Sequence, residues 1–191
     1  MLKNIKRIAY ISLPILSGVM MVGPAFADDP VTPITVNGGN IQFTGSIVNA
    51  PCVIDNNSAS AIVKLGQYRV DSFSGTGSTS SPVDFNIDLI DCTVDTYSKA
   101  AITLNGVTAD GNNKVLALKA RQAADTTAGG VGIQILQDGK ALPVDGSTAS
   151  TPKPFTESGV SLLFQAQYLA LADEVTPGSA NSSADFTITY Q

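Results

Sequence analysis

An all-β fold, an antiparallel β-sandwich, is predicted by three features of this 191-residue chain. Apolar residues recur at every second position over many short stretches, the spacing of strands with one buried face. Clusters of Gly, Pro, Asn and Asp separate those stretches and supply turn chemistry. No stretch sustains the 3.6-residue period that an amphipathic helix needs.

The first element is a leader rather than a part of the fold. Lys3, Lys6 and Arg7 give a positive n-region, residues 8–23 an apolar run interrupted by Pro14, and Ala25-Phe26-Ala27 a small-x-small cleavage site. Residues 1–27 are therefore expected to be a cleaved signal peptide, and the mature chain to begin at Asp28 and be exported. The apolar run is too short and too interrupted to read as a membrane anchor. The remaining 164 residues suit one domain. Eight basic against sixteen acidic residues leave the mature chain a net charge of −8. That balance repels nucleic acid and anionic membrane surfaces, so neither is an expected partner.

Residues 36–52, VNGGNIQFTGSIVNAPC, open the mature chain with strict alternation. Gly39, Ile41, Phe43, Gly45 and Ile47 fall on one face, and Asn40, Gln42, Thr44 and Ser46 on the other. Glycine on the buried face weakens a strand unless another backbone or a narrow pocket comes close. Two readings follow: the first strand of its own sandwich, or a strand that packs into a different molecule.

Cys52 and Cys92 are the only cysteines. In an exported chain an even count reads as a disulfide. Closing a loop of about forty residues would stabilise by roughly 4 kcal/mol. The chain has no histidine, and two cysteines alone do not make a zinc site, so no metal or cofactor is expected.

Further along, residues 61–70 read as a strand with Ile62 and Leu65 inward, and residues 71–81 as a loop. Val83, Phe85, Ile87 and Leu89 alternate with Asp84, Asn86 and Asp88, while Cys92 falls on the wrong parity and implies a bulge or a strand end. Residues 100–104 are a short strand, and Asp110-Gly111-Asn112-Asn113 a turn. Residues 113–124 have some helix propensity but read as strand, and residues 131–136 form a further apolar run. Asp138-Gly139 signals a hairpin. Residues 147–154 read as a loop. Leu162, Phe164, Ala166, Tyr168 and Ala170 form the longest inward alternation, Pro177-Gly178 marks a turn, and Phe186, Ile188 and Tyr190 close the chain.

Catalysis has no foothold in this pattern. Without histidine the usual nucleophile–base pairs are missing. Asp84, Asp88 and Asp91 lie close in sequence, but with no perturbing pocket they read as a solvated face. No catalytic residue is predicted, and the chain is not expected to be an enzyme.

Several stretches together resemble the chaperone–usher pilin subunits, most closely the major subunits of type 1 fimbriae. They are VNGGNIQFTGSIVNAPC, SSPVDFNIDLIDC, NKVLALKA, VGIQIL and FQAQYLA…TPGSANSSADFTITYQ. Gly45 seven residues before Cys52, Gly178 fourteenth from the C-terminus and Tyr190 penultimate add to the match. The resemblance implies an immunoglobulin-like sandwich that lacks its last strand, with a hydrophobic groove beside the C-terminal strand. It implies a donor extension at residues 28–47 ahead of a body at 48–191, with Gly39, Ile41, Phe43, Gly45 and Ile47 as donor residues. Gly45 would enter a narrow pocket, and Gly178, Phe186, Ile188 and Tyr190 would form the acceptor groove and chaperone contact. The implied partners are identical or related pilin subunits, a periplasmic chaperone and an outer-membrane usher. The implied function is a structural subunit of an extracellular fimbrium supporting cell adhesion; a minor or adaptor pilin, or a carbohydrate-binding adhesin subunit, is the alternative.

Overall fold

The structure, a computed structural model, describes residues 32–109, 111–120, 122 and 125–191. The leader at 1–27, the first residues of the expected extension and Asp110 of the expected turn lie outside the described residues. The chain divides into two units, Met1–Gly45 and Ser46–Gln191, each described by itself.

In the first unit and the residues joining it to the second, residues 32–50 form no helix, strand or turn, and every one is exposed. The strand expected from their alternation is not formed. A lone strand gains no ladder bonds, and period-two patterning specifies a face without supplying a partner.

Among the described residues, the second unit has eleven strands in two antiparallel sheets. They are β1 (Val53–Ile54), β2 (Val83–Ile90), β3 (Lys99–Gly106), β4 (Thr108–Ala109), β5 (Asn112–Leu116), β6 (Val131–Gln137), β7 (Lys140–Ala141), β8 (Asp145–Ala149), β9 (Lys153–Pro154), β10 (Val160–Ala170) and β11 (Ala184–Tyr190). One sheet has the order β1-β2-β10-β6-β5-β4, with β7 paired to β6; the other has the order β11-β3-β8, with β9 also on β3.

β10 is central to the larger sheet because its alternation is the longest. Leu162, Phe164, Ala166, Tyr168 and Ala170 are all buried. Opposite them the pairing sets Phe164 against Phe85 and Leu162 against Ile87. The smaller sheet contributes Ala100, Ile102 and Leu104 to the same core. Asp84 and Asp88 face away from that core, and Asp84 accepts a hydrogen bond from Gln165 at 2.8 Å, as a solvated polar face would.

Local chemistry explains the joints. Asp138 and Gly139 both adopt positive φ, 51° and 73°, the requirement of the two-residue hairpin turn that joins β6 to β7. β2 ends at Ile90, and Asp91 at φ 49° turns the chain so that Cys92, despite its parity, points inward and bonds Cys52. A short helix, α1 (Asn56–Ala59), had no signal in the periodicity. The Asp55 side chain caps it by accepting from the Asn57 N–H at 2.9 Å.

Three expectations are corrected. Residues 61–69 are not a strand, and Ile62 is 84% exposed while Val63 and Leu65 pack on the core. Residues 147–154 are not a plain loop, since β8 and β9 run through them as short additions to β3. Of residues 113–124, those up to Leu116 are strand and the described residues 117–120 and 122 are not, while 121, 123 and 124 lie outside the described residues.

Candidate functional site: the open edge of the C-terminal strand

β11 pairs with β3 from Ala184 opposite Gly106 to Tyr190 opposite Ala100. Its other edge has no strand partner among the described residues. The pattern of main-chain bonds shows which residues present that edge. Gln191 and Lys99 exchange both N–H···O bonds, each at 2.9 Å. In an antiparallel ladder such bonded pairs alternate with non-bonded ones. Thr189, Thr187 and Asp185 therefore bond to β3, while Tyr190, Ile188, Phe186 and Ala184 turn their N–H and C=O groups to the open side. The far edge of β3 agrees, because Gly106 N–H donates to Val144 O at 2.7 Å and Ser150 N–H to Ile102 O at 2.7 Å. Even-numbered residues of β3 thus bond away from β11.

Side chains follow the same parity. Phe186, Ile188 and Tyr190 are half-buried against the core, while Asp185, Thr187 and Thr189 are exposed. The residues that show unpaired backbone at the edge are the ones that show an incompletely covered apolar face. An unpaired edge beside apolar surface is what proteins normally cover or pair.

Residues 60–68 face a similar deficit. Among the described residues they make no backbone–backbone hydrogen bond. Other segments meet the chain at Tyr190 and ahead of Ala184. At one end the Tyr190 hydroxyl donates to the Cys52 carbonyl at 3.4 Å, and its ring meets Phe155 edge-on with centroids 6.0 Å apart. Burial raises the Tyr190 hydroxyl pKa above the ordinary 10.0. At the other end, Tyr68 and Phe73 line an open cleft of about 750 Å³ with Tyr168, Val175 and Gly178.

Gly178 sits where no side chain fits. A Cβ there would lie 2.5 Å from Ala128 N and 2.5 Å from the Thr127 carbonyl carbon. The chain passes so closely because residues 176–179 bond to residues 126–129. Ser179 N–H donates to Thr126 O at 2.8 Å, Ala128 N–H to Ser179 O at 2.9 Å, and Thr176 N–H to Gly129 O at 3.0 Å. Tyr168 crosses the cleft floor, donating its hydroxyl to Ala180 O at 2.9 Å with its ring edge-on to Tyr68 at 5.8 Å. Burial raises the Tyr168 pKa.

The structure thus places Phe186, Ile188 and Tyr190 along the open edge of β11 and Gly178 in the separate cleft, and joins Cys52 to Cys92. Tyr68, Phe73 and Val175 were missed, and Tyr168 was read only as core. Their one signal was an aromatic or β-branched residue beside turn-forming positions, which carries no information about a cleft. The five predicted donor positions are exposed, with Ile41 at 77%, Phe43 at 88% and Ile47 at 103%. Gly45, expected in a narrow pocket, has open space where a Cβ would stand. No group of three or more His, Cys, Asp or Glu that could hold a metal occurs among the described residues.

Comparison with known proteins gives one consistent result. The family described as fimbrial protein matches residues 41–191. A type-1 fimbrial protein A chain of Escherichia coli is 39% identical over 187 residues, covering 97% of this chain and 100% of that one. A type 1 fimbrial subunit of Salmonella typhimurium is 39% identical, covering 93% and 95%. Among solved structures, a chaperone–usher pilus superposes with a TM-score of 0.68 at 23% identity, covering 84% of this chain and 99% of that one. The P pilus rod subunit PapA gives 0.63 at 23% identity, covering 74% and 100%.

Proposed function

The chain belongs to the fimbrial protein family, and on that premise we propose that it is a structural subunit of an extracellular fimbrium, joined head-to-tail to its neighbours. The relatives it matches are fimbrial subunits rather than enzymes. The observation that carries the proposal is the open edge of β11, where unpaired main-chain groups and half-buried apolar side chains belong to the same residues.

A strand laid along that edge would satisfy both deficits together. Main-chain bonds would supply affinity, and alternate side chains would supply register. Residues 28–47 of a second copy would supply such a strand: their alternation puts Gly39, Ile41, Phe43, Gly45 and Ile47 on one face, and the described residues 32–47 have no strand partner. Burying Ile41, Phe43 and Ile47 would contribute on the order of 1.5–3 kcal/mol each. Because the donor and acceptor surfaces differ, the contact is heterologous and propagates as a filament. Gly178, packed against the backbone of residues 126–128, lines the cleft before the start of β11. Before assembly the edge needs temporary cover, which a periplasmic chaperone would give, with transfer at an outer-membrane usher. The finished fimbrium, supporting cell adhesion, lies outside the cell.

Deleting residues 28–47 tests this reading. Cells expressing the truncated chain with its chaperone and usher should form no filaments by electron microscopy, while chaperone-bound subunit still accumulates. Filaments of normal abundance and length from the truncated chain would exclude the donor assignment.

A further inference from the structure

Two Asn–Gly steps occur in the sequence, Asn37–Gly38 and Asn105–Gly106, and the structure places them in opposite settings. We propose that Asn37 is a site of spontaneous deamidation, a covalent change that the chain carries out on itself, and that the fold protects Asn105 from the same reaction.

The chemistry needs only a mobile main chain, a glycine and water. The Gly38 backbone nitrogen, having given up its proton, attacks Asn37 Cγ. The new N–Cγ bond closes a five-membered succinimide as the Cγ–Nδ2 bond breaks, and ammonia leaves with one added proton. Water then opens the ring at either carbonyl. One opening leaves an ordinary aspartate, the other an isoaspartate whose main chain runs through Cβ and Cγ. No electron is transferred, and the net exchange is ammonia for water. Glycine favours the step because no Cβ obstructs the approach of its nitrogen.

Each requirement is met at Asn37. Asn37 and Gly38 are both exposed, in a stretch without assigned structure. No backbone–backbone hydrogen bond involves residues 32–50 among the described residues. An added Cβ at Gly38 would meet nothing within 4 Å, so the nitrogen is open to rotation and solvent. Gly39, at φ 117°, follows in a backbone conformation that side-chain-bearing residues rarely adopt, with open space around it.

At Asn105 the same two residues are locked. They lie in β3, where Asp185 of β11 pairs with Asn105 and the Gly106 N–H donates to Val144 O at 2.7 Å. The attacking nitrogen is thus already engaged. Gly106 is also hemmed in by the Leu116 side chain and by Ala184 and Ser183. Reaction there requires the strand to open first. In the ladder of a folded sheet that opening carries a free-energy cost which exposed, unpaired segments escape.

The product has two consequences for the extension. Either opening replaces a neutral amide by a carboxylate. The isoaspartate form also lengthens the main chain by one methylene, two residues before Gly39, so that residues 28–36 lose step with the alternation that follows.

The test is peptide mapping by mass spectrometry on soluble full chain incubated at mildly alkaline pH, with electron-transfer fragmentation to separate isoaspartate from aspartate. The Asn37 peptide should convert at least about 10-fold faster than the Asn105 peptide, the ratio expected when strand opening costs about 1.4 kcal/mol. In denaturant the two should convert at similar rates. Gly38→Ala, for which there is space, should slow conversion at position 37 without changing position 105. Equal rates in the folded chain, or an Asn37 peptide that keeps its mass while the denatured control reacts, would overturn the proposal.

Discussion

Residues 36–47 and strand β11 share one code and meet different fates. Both alternate apolar and polar residues with period two, and both offer a run of main-chain groups. β11 is paired along one side to β3 and half-buries Phe186, Ile188 and Tyr190. The early stretch makes no backbone–backbone hydrogen bond and leaves Phe43 88% exposed. Alternation specifies which residues share a face; it does not specify what will cover that face. The difference lies in the neighbour: β3 supplies β11 with an edge, whereas the early stretch has none.

The largest effect expected from breaking this contrast comes from a charge on the inward face of β11. Ile188→Asp would put a carboxylate where an incoming strand must close over it, at a cost on the order of 4 kcal/mol. Binding of a synthetic peptide of residues 28–47, followed by calorimetry, should be lost. Thr187→Asp, on the opposite face, should change it by about 0.5 kcal/mol or less.

A smaller loss is expected on the other side of the pair. Phe43→Ala should leave the body's unfolding unchanged, because the ring is exposed, yet weaken capture by about 2–3 kcal/mol. Dissociation of assembled filaments in denaturant would read that change. If Phe43→Ala destabilised the body of the unassembled full chain as well, the contrast between the regions would fail.

Gly178→Ala probes the cleft beyond the start of β11. The added methyl cannot avoid the backbone at residues 127–128, so the chain must shift, at about 1–3 kcal/mol of stability. Thermal unfolding of the chaperone-bound chain should show the loss, and Gly38→Ala, with nothing nearby, should show none.

The smallest effect concerns Asp173. The Thr76 hydroxyl, at 2.8 Å, and the Thr76 N–H, at 3.1 Å, hold its carboxyl pKa below the ordinary 3.8. A depressed folded-state pKa means that the tie persists above the ordinary value and is lost as pH falls through the lowered one. Hydrogen exchange at the Thr76 amide should therefore stay protected down to that acid range, and Asp173→Asn should remove the pH dependence.

Much of the fold was legible because its determinants are local. The β10 alternation, the Asp138–Gly139 turn and the pairing of the cysteines each follow from residues close in sequence or from a count. Residues 61–69 were misread because Ile62 looks like core but is exposed, while Val63 and Leu65 pack inward without joining a sheet. β8 and β9 went unseen because Ser, Thr, Lys and Pro in short edge segments carry little strand signal. The cleft was illegible for a different reason. Tyr68, Tyr168 and Gly178 become neighbours only when chain segments about a hundred residues apart are folded together, and no periodicity encodes that meeting.

The parity along β11 has a metrical consequence. Since ladder bonds and inward side chains repeat every two residues, an occupant can sit only at positions about 7 Å apart, like a ratchet with teeth. On the proposed donor assignment, each such slide would move a glycine out of its place and an isoleucine or phenylalanine into it. The spacing of Gly39 and Gly45 around Ile41 and Phe43 would then select one register, and every joint in a filament would have the same length.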